Sequence, residues 1–133
     1  MEDSNKKKVL VVDDDENLTT VLVDKLNLSG FDALGALDGE EGLKKALTFH
    51  PDIILLDLVM PKMSGLDMLK KLRADPWGKG VGVVVLTALE QQIDYMAKAV
   101  ESGIWGYLVK TNYSLDEVIQ KVKDMLSQSN TAK

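Results

Sequence analysis

Five residues with chemistry to offer stand where apolar runs give out. Asp13 and Asp14 follow Val9-Leu10-Val11-Val12, Asp57 follows Ile53-Ile54-Leu55-Leu56, Thr87 follows Val83-Val84-Val85-Leu86, and Lys110 follows Leu108-Val109. If the first and third runs are neighbouring strands, their ends lie about 4.8 Å apart. Three carboxylates then crowd into one place. Two carboxylates roughly 4 Å apart repel by about 4 kcal/mol at an effective dielectric near 20, so something positive must offset them. Mg2+ suits such a set, because it favours one or two carboxylates, several waters and an incoming phosphate over a full protein cage. Lys110 offers a second, compact positive charge for a phosphoryl oxygen, and Thr87 offers a hydroxyl donor, with Ala88 beside it leaving the approach open. A carboxylate can accept a phosphoryl group as an acyl phosphate when such charges stabilise the transfer. Asp57, alone on its strand end, is the candidate nucleophile; Asp13 and Asp14 are candidate metal ligands. Each residue also has a plain structural reading: Asp13 to Glu16 as acids at a helix start, Asp57 as a strand-end cap, Thr87 as a β-branched strand residue, Lys110 as a solvated strand end. Their joint occurrence at strand ends weighs against four separate plain readings.

The elements that must position these residues alternate along the chain. The short apolar runs Val9–Val12, Ile53–Leu56, Val81–Leu86 and Ile104–Val109 read as strands covered on both faces, and Phe31–Leu37 reads as a weaker one, interrupted by Asp32 and Gly35. Between them lie helical stripes: Leu18, Val21, Leu22, Leu26 and Val23; Leu43, Ala46 and Leu47; Leu66, Leu69 and Leu72; Ile93, Met96, Ala97 and Val100. A last helix carries Leu115, Val118, Ile119, Val122, Met125 and Leu126. Asp38 to Glu41, Ser64 to Asp67 and Ser114 to Glu117 have the spacing of helix-start capping boxes, while Gly30 and Gly103 mark helix ends. Residues 1–6 form a polar leader and 128–133 a polar tail. Five strands alternating with five helices predict an α/β fold, a parallel sheet with helices on both faces, and ligands at the carboxyl ends of the strands.

Composition narrows the function classes. A chain of 133 residues with 45% hydrophobic content builds one domain, 1–133, with its core at about 7–127. A net charge of −5 argues against direct nucleic-acid binding, and Lys6-Lys7-Lys8 is too short a basic run to reverse that. The absence of cysteine removes disulfides, thiolate zinc sites and cysteine nucleophiles, and the single histidine, His50, sits beside Pro51 as a surface residue without a catalytic neighbour. No apolar run approaches the roughly 20 residues needed to span a bilayer. The expected location is the cytoplasm, with no membrane contact.

Val11-Val12-Asp13-Asp14-Asp15-Glu16, Pro51 to Asp57, Met60-Pro61-Lys62-Met63-Ser64-Gly65, Val85-Leu86-Thr87-Ala88 and Tyr107-Leu108-Val109-Lys110 follow one another in the order and spacing of a known family's signature segments. On these segments the chain resembles the receiver domains of two-component response regulators, over about residues 7 to 127. The resemblance implies a flavodoxin-like doubly wound sheet of strand order 2-1-3-4-5. It implies that Asp57 takes a phosphoryl group from a histidine kinase or phosphotransfer protein. Mg2+ would be held by Asp13, Asp14, Asp57 and the backbone carbonyl of Val59. Thr87 and Lys110 would contact the phosphoryl group, with the Tyr107 rotamer following Thr87. The fourth helix, fifth strand and fifth helix would form the surface that switches, toward a downstream protein or an output domain. Trp105 and Tyr107 share a parity there, so they face that surface either as a partner or homodimer contact or as packing beneath the fourth helix.

The family usually has proline after the strand-five lysine, often with a cis bond. Thr111 stands there instead, and a cis bond to a non-proline residue costs about 3 kcal/mol, so Lys110–Thr111 should be trans. Val59 and Leu89, two residues past Asp57 and Thr87, are apolar where polar side chains could align water, which predicts slow hydrolysis of a phosphorylated Asp57. Two rivals fit less well. A haloacid-dehalogenase-type Mg2+-dependent phosphatase would use Asp13 and Asp15, but it needs further acids on a strand after the lysine and leaves Asp57 without a role. A calcium loop on Asp13, Asp15 and Asn17 has Leu18 where a glycine is required.

Overall fold

The computed structural model describes residues 6–87 and 93–131. The leader 1–5 and the loop residues Ala88 and Leu89 lie outside the described residues. Element order is β1 (Lys8–Val12), α1 (Glu16–Leu28), β2 (Asp32–Ala36), α2 (Gly39–Phe49), β3 (Ile53–Asp57), α3 (Gly65–Ala74), β4 (Gly82–Thr87), α4 (Ile93–Ser102), β5 (Gly106–Val109), a 3-10 turn (Lys110–Asn112) and α5 (Leu115–Thr131). The five strands form one parallel sheet in the order β2-β1-β3-β4-β5. The order reverses at β1, between β2 and β3.

The strands are apolar throughout because both faces are covered. Val9, Val11, Ile53, Leu55, Val84 and Leu86 point to one face, where α1 and α5 bury Leu22, Leu26, Val118 and Val122 against them. Leu10, Val12, Ile54, Leu56, Val83 and Val85 point to the other, where α2, α3 and α4 supply Ala46, Leu69, Leu72, Met96 and Ala99. Alternation along a strand thus divides one apolar run between two cores. Each fully buried Val or Leu contributes about 1.5–3 kcal/mol relative to exposure.

The helix starts follow the local chemistry. Asp15 accepts from the Leu18 N–H and caps α1, Asp38 accepts from the Glu41 N–H and caps α2, and Ser64 accepts from the Asp67 N–H and caps α3. Ser114 and Glu117 complete a reciprocal box at α5: the Ser114 N–H donates to Glu117 Oε1 at 2.8 Å and the Glu117 N–H to Ser114 Oγ at 3.2 Å. Gly30 (φ 99°) and Gly103 (φ 93°) take the left-handed backbone expected at the ends of α1 and α4.

Four expectations need correction. Among the described side chains of α4, Met96 and Ala99 are buried, whereas Ala97 and Val100 face solvent, Val100 at 60% exposure; the Ile93 side chain lies outside those described. One residue is a rotation of about 100° about a helix axis, so Ala97 and Val100 stand one step round from the buried pair. On α1, Val21 is exposed and Thr19 takes the inward place. The polar segment after Ser127 continues α5 through Thr131, since no glycine or proline stops it. β5 begins at Gly106, so Trp105 precedes the strand, although its N–H still donates to the Val83 carbonyl at 2.8 Å. His50 is exposed, as expected, yet it closes α2 with φ 52° and stacks on Trp77, ring centroids 4.3 Å apart.

Candidate phosphoryl-acceptor site

Strand register assembles the site. Val12 pairs with Leu56, so Asp13 and Asp57 are the next residues on adjacent strands; Asp57 pairs with Leu86, and Thr87 pairs with Val109, the residue before Lys110. All the strand-end residues singled out in the sequence therefore meet at one edge of the sheet. Asp13 and Thr87 are fully buried, Asp57 is 3% exposed, and Asp14 faces solvent. One carboxylate oxygen from each of Asp13, Asp14 and Asp57 lies within 4.8 Å of the others.

Asp13 is held from three sides. Its N–H donates to the Ala36 carbonyl of β2 at 3.1 Å, its Oδ1 accepts from the Asp15 N–H at 3.0 Å, and its carbonyl accepts from Thr19 Oγ1 at 2.8 Å. The acids after β1 thus divide their work. Asp15 and Glu16 serve the start of α1, while Asp13 and Asp14 turn to the cluster. That division also removes the calcium-loop reading, because α1 begins at Glu16 and places Asn17 within the helix. Thr19 is a site residue that sequence reasoning missed. Its signal was a polar residue three and seven positions before the buried Leu22 and Leu26.

Lys110 Nζ lies 2.8 Å from Asp13 Oδ2 and 3.3 Å from Asp57 Oδ2. The contact with Asp57 is a hydrogen bond. The one with Asp13 is an ion pair by distance, but Oδ2 has no hydrogen bond aligned on it and is fully buried. Burial first, then the negative charge of Asp13, push Asp57 up to about 6, against the opposing pull of Lys110 and the Val59 N–H. Burial lowers the Lys110 ammonium, yet the charges of Asp13 and Asp57 outweigh it, so Lys110 ends above its ordinary value and stays protonated. Three carboxylates against one ammonium leave two negative charges when all are ionised. A divalent cation brings that sum to zero.

The donor set fits magnesium. All candidate side-chain ligands are carboxylate oxygens, and Mg2+ at 2.0–2.1 Å from each needs oxygens within about 4 Å of one another, a spacing the cluster's 4.8 Å bound includes. Asp13 Oδ2 is a buried acceptor whose one cationic neighbour, Lys110, is shared with Asp57, which leaves the cluster short of positive charge. Exposed Asp14 leaves one side open to water and to an incoming group.

The loop after β3 closes the site from below. The Val59 N–H donates to Asp57 Oδ1 at 3.3 Å, and the Val59 side chain is 44% exposed. The Gly65 N–H donates to the Leu58 carbonyl at 2.8 Å, and a Cβ at Gly65 would overlap the Asp57 carbonyl. No cis peptide occurs among the described residues, so Lys110–Thr111 is trans, and Lys110 opens a 3-10 turn. Tyr107 is 50% exposed and Trp105 40%. The Trp105 indole lies across Gly82, where an added Cβ would come within 2.5 Å of the ring.

An acid-and-lysine cluster at the carboxyl ends of β1, β3 and β5 lies beside the reversal of strand order in a doubly wound α/β sheet, the place where such folds bind ligands. The family model described as response regulator receiver domain matches residues 9–123, and the chain belongs to that family. It is 40% identical over 126 residues to the alkaline phosphatase synthesis transcriptional regulatory protein PhoP of Bacillus subtilis, covering 95% of this chain and 51% of that protein. It is 35% identical over 128 residues to the DNA-binding response regulator MtrA of Mycobacterium tuberculosis, covering 96% and 54%. The chain therefore spans about half the length of the curated relatives it matches. Among solved structures, the response regulator protein TrrA of Thermotoga maritima, in complex with Mg(2+)-BeF, superposes with a TM-score of 0.74 at 32% identity over 90% of this chain and 98% of that one. The chemotaxis response regulator CheY4 of Vibrio cholerae gives 0.81 at 27% identity, covering 91% and 99%. The relatives are response regulators, not haloacid-dehalogenase phosphatases, which sets aside that rival. Among the described residues no helix is long and apolar enough to cross a membrane.

Proposed function

We propose that Asp57 is the phospho-acceptor of this receiver domain and that its donor is the phosphohistidine of a histidine kinase or phosphotransfer protein. The observation that carries the reading is the buried Asp57 carboxylate, destabilised by Asp13 and tethered to Lys110. An Asp57 Oδ attacks the donor's phosphorus, the bond from phosphorus to the donor nitrogen breaks, and the histidine leaves with that electron pair. Asp13, Asp14, Asp57 and the Val59 carbonyl hold Mg2+, which, when bound, offsets the charge on the transferring group. Lys110 moves its ammonium from the carboxylates to a phosphoryl oxygen, and Thr87 donates its hydroxyl to another. Phosphorylation adds charge and three acceptor oxygens at Asp57. The consequence is a population shift on α4, β5 and α5, where Val100, Trp105 and Tyr107 are exposed. That surface is the one assigned to a downstream protein, an output domain or a second copy of the chain.

The same reading makes 1–133 a single receiver domain, located in the cytoplasm, that acts as a signalling acceptor rather than a turnover enzyme. The apolar Val59 side chain has no group to align water, so the phosphorylated state is long-lived. The test is incubation with acetyl phosphate and Mg2+, followed by intact mass. Wild type should gain one phosphoryl group and Asp57→Asn none. A wild type that gains none sinks the proposal.

A further inference from the structure

The loop 58–64 begins at the proposed acceptor, carries Val59, and is pinned at both ends by close backbone contacts. At its base the Gly65 N–H donates to the Leu58 carbonyl, so the loop's own ends are joined. Its far side rests on a different element. The N–H of Gly39, the first residue of α2, donates to the Met63 carbonyl at 3.0 Å. A Cβ on Gly39 would overlap that carbonyl and come within 2.9 Å of the Ser64 carbonyl oxygen. Asp38 reinforces the contact, with Oδ2 3.6 Å from Lys62 Nζ, and Lys62 takes φ 65°.

Because Gly65 closes the base, a displacement of Met63 is taken up inside the loop, by residues 59–62 together with Ser64. Val59 is among them. We propose that the corner between β2 and α2, through Gly39, is a positioning element for the acceptor site: it fixes Met63 and Ser64, and so sets where Val59 meets Asp57 and the cation. Gly39 touches no reacting group, so it is a positioning residue and its effect passes through the loop. The inference rests on the reading of Asp13, Asp14, Asp57 and Val59 as the Mg2+ site.

Gly42 supplies the control. It lies one turn along α2, and a Cβ there would meet the Val12 and Met68 side chains at 2.9–3.0 Å. Its nearest clashes fall on core side chains rather than on the loop backbone. Mg2+ affinity by calorimetry, and unfolding by circular dichroism, should be measured on wild type, Gly39→Ala and Gly42→Ala. Gly39→Ala should bind Mg2+ about fivefold or more weakly, while Gly42→Ala loses thermal stability and keeps wild-type affinity. Wild-type affinity in a folded Gly39→Ala, or loss of affinity that merely follows loss of stability in both variants, overturns the inference. If Gly39→Ala does not fold, hydrogen exchange on wild type decides: Mg2+ must slow exchange of the Gly39 amide, by the reciprocity of coupled sites, and unchanged protection overturns the inference. A wild type that binds no Mg2+ overturns the functional reading, and this inference with it.

Discussion

At the amino ends of the strands Arg73 donates to four backbone carbonyls, those of Ser102, Gly78, Val81 and Gly103, at 2.6–3.2 Å. At the carboxyl ends Asp13, Asp14 and Asp57 cluster around a single ammonium, that of Lys110, and Asp57 is pushed up to about 6. The same sheet carries both. At one end a charge is surrounded by acceptors that close the α3–β4 connection and the end of α4. At the other, charges of one sign are gathered and left under-compensated. Polar groups that serve folding are satisfied within the chain, while those that serve binding await something from outside it. The amino end should therefore respond to mutation by losing stability, and the carboxyl end by gaining it.

The largest effect belongs to Arg73. Arg73→Met leaves four carbonyls without their donor, and hydrogen bonds to charged groups contribute about 1.5–3 kcal/mol each before relaxation and water recover part, so a net loss of about 3–4 kcal/mol is expected in denaturant unfolding. A loss below that of an ordinary surface substitution would erase the contrast between the two ends.

Asp57→Asn should act in the opposite direction in metal-free protein. The carboxyl's folded value of about 6 lies above its ordinary 3.8, so between those values the folded state binds more protons than the unfolded one and stability falls as pH rises. The penalty is complete above about pH 6 and absent below about pH 4; two units correspond to about 3 kcal/mol as an upper bound. Asp57→Asn should thus be more stable than wild type by about 1–3 kcal/mol at pH 8, with the advantage vanishing near pH 4. A destabilised Asp57→Asn at pH 8 would contradict the electrostatic reading of the site.

Mg2+ should remove part of that difference. At ten times its Kd, binding to the folded state alone contributes about 1.4 kcal/mol, raising the Tm of wild type and leaving Asp57→Asn little changed. An equal rise in both would place the cation elsewhere. The smallest effect concerns the stack of His50 on Trp77. His50→Ala should cost about 0.5–1.5 kcal/mol and leave phosphorylation by acetyl phosphate unaltered, since the pair sits at the sheet's other end.

Much of this molecule was legible in its sequence because the signals were local. The apolar runs before Asp13, Asp57 and Thr87 are strands for the reason that made them readable: both faces are buried, so no polar residue interrupts them. The reciprocal box at Ser114 and Glu117 was equally plain. What was not legible depends on distant backbone. Arg73 has carbonyls as its partners, and nothing in the residue types of Gly78, Val81, Ser102 or Gly103 announces an acceptor. Gly39 and Gly65 matter through atoms their missing side chains leave room for, a condition set only when the loop and α2 meet. On α4, Ala at 97 and at 99 gives two phases of nearly equal apolarity, and packing against the sheet chose Met96 and Ala99.

The central claim is that Asp57, of all the acids at the strand ends, receives the phosphoryl group. Borohydride reduction of protein treated with acetyl phosphate and Mg2+, followed by peptide mass mapping, tests it most directly, because an acyl phosphate is reduced to the alcohol and leaves a stable mark on its residue. The account predicts conversion of Asp57 to homoserine and unmodified Asp13 and Asp14. Conversion at Asp13 or Asp14, or no conversion in protein that has gained phosphoryl mass, would contradict it.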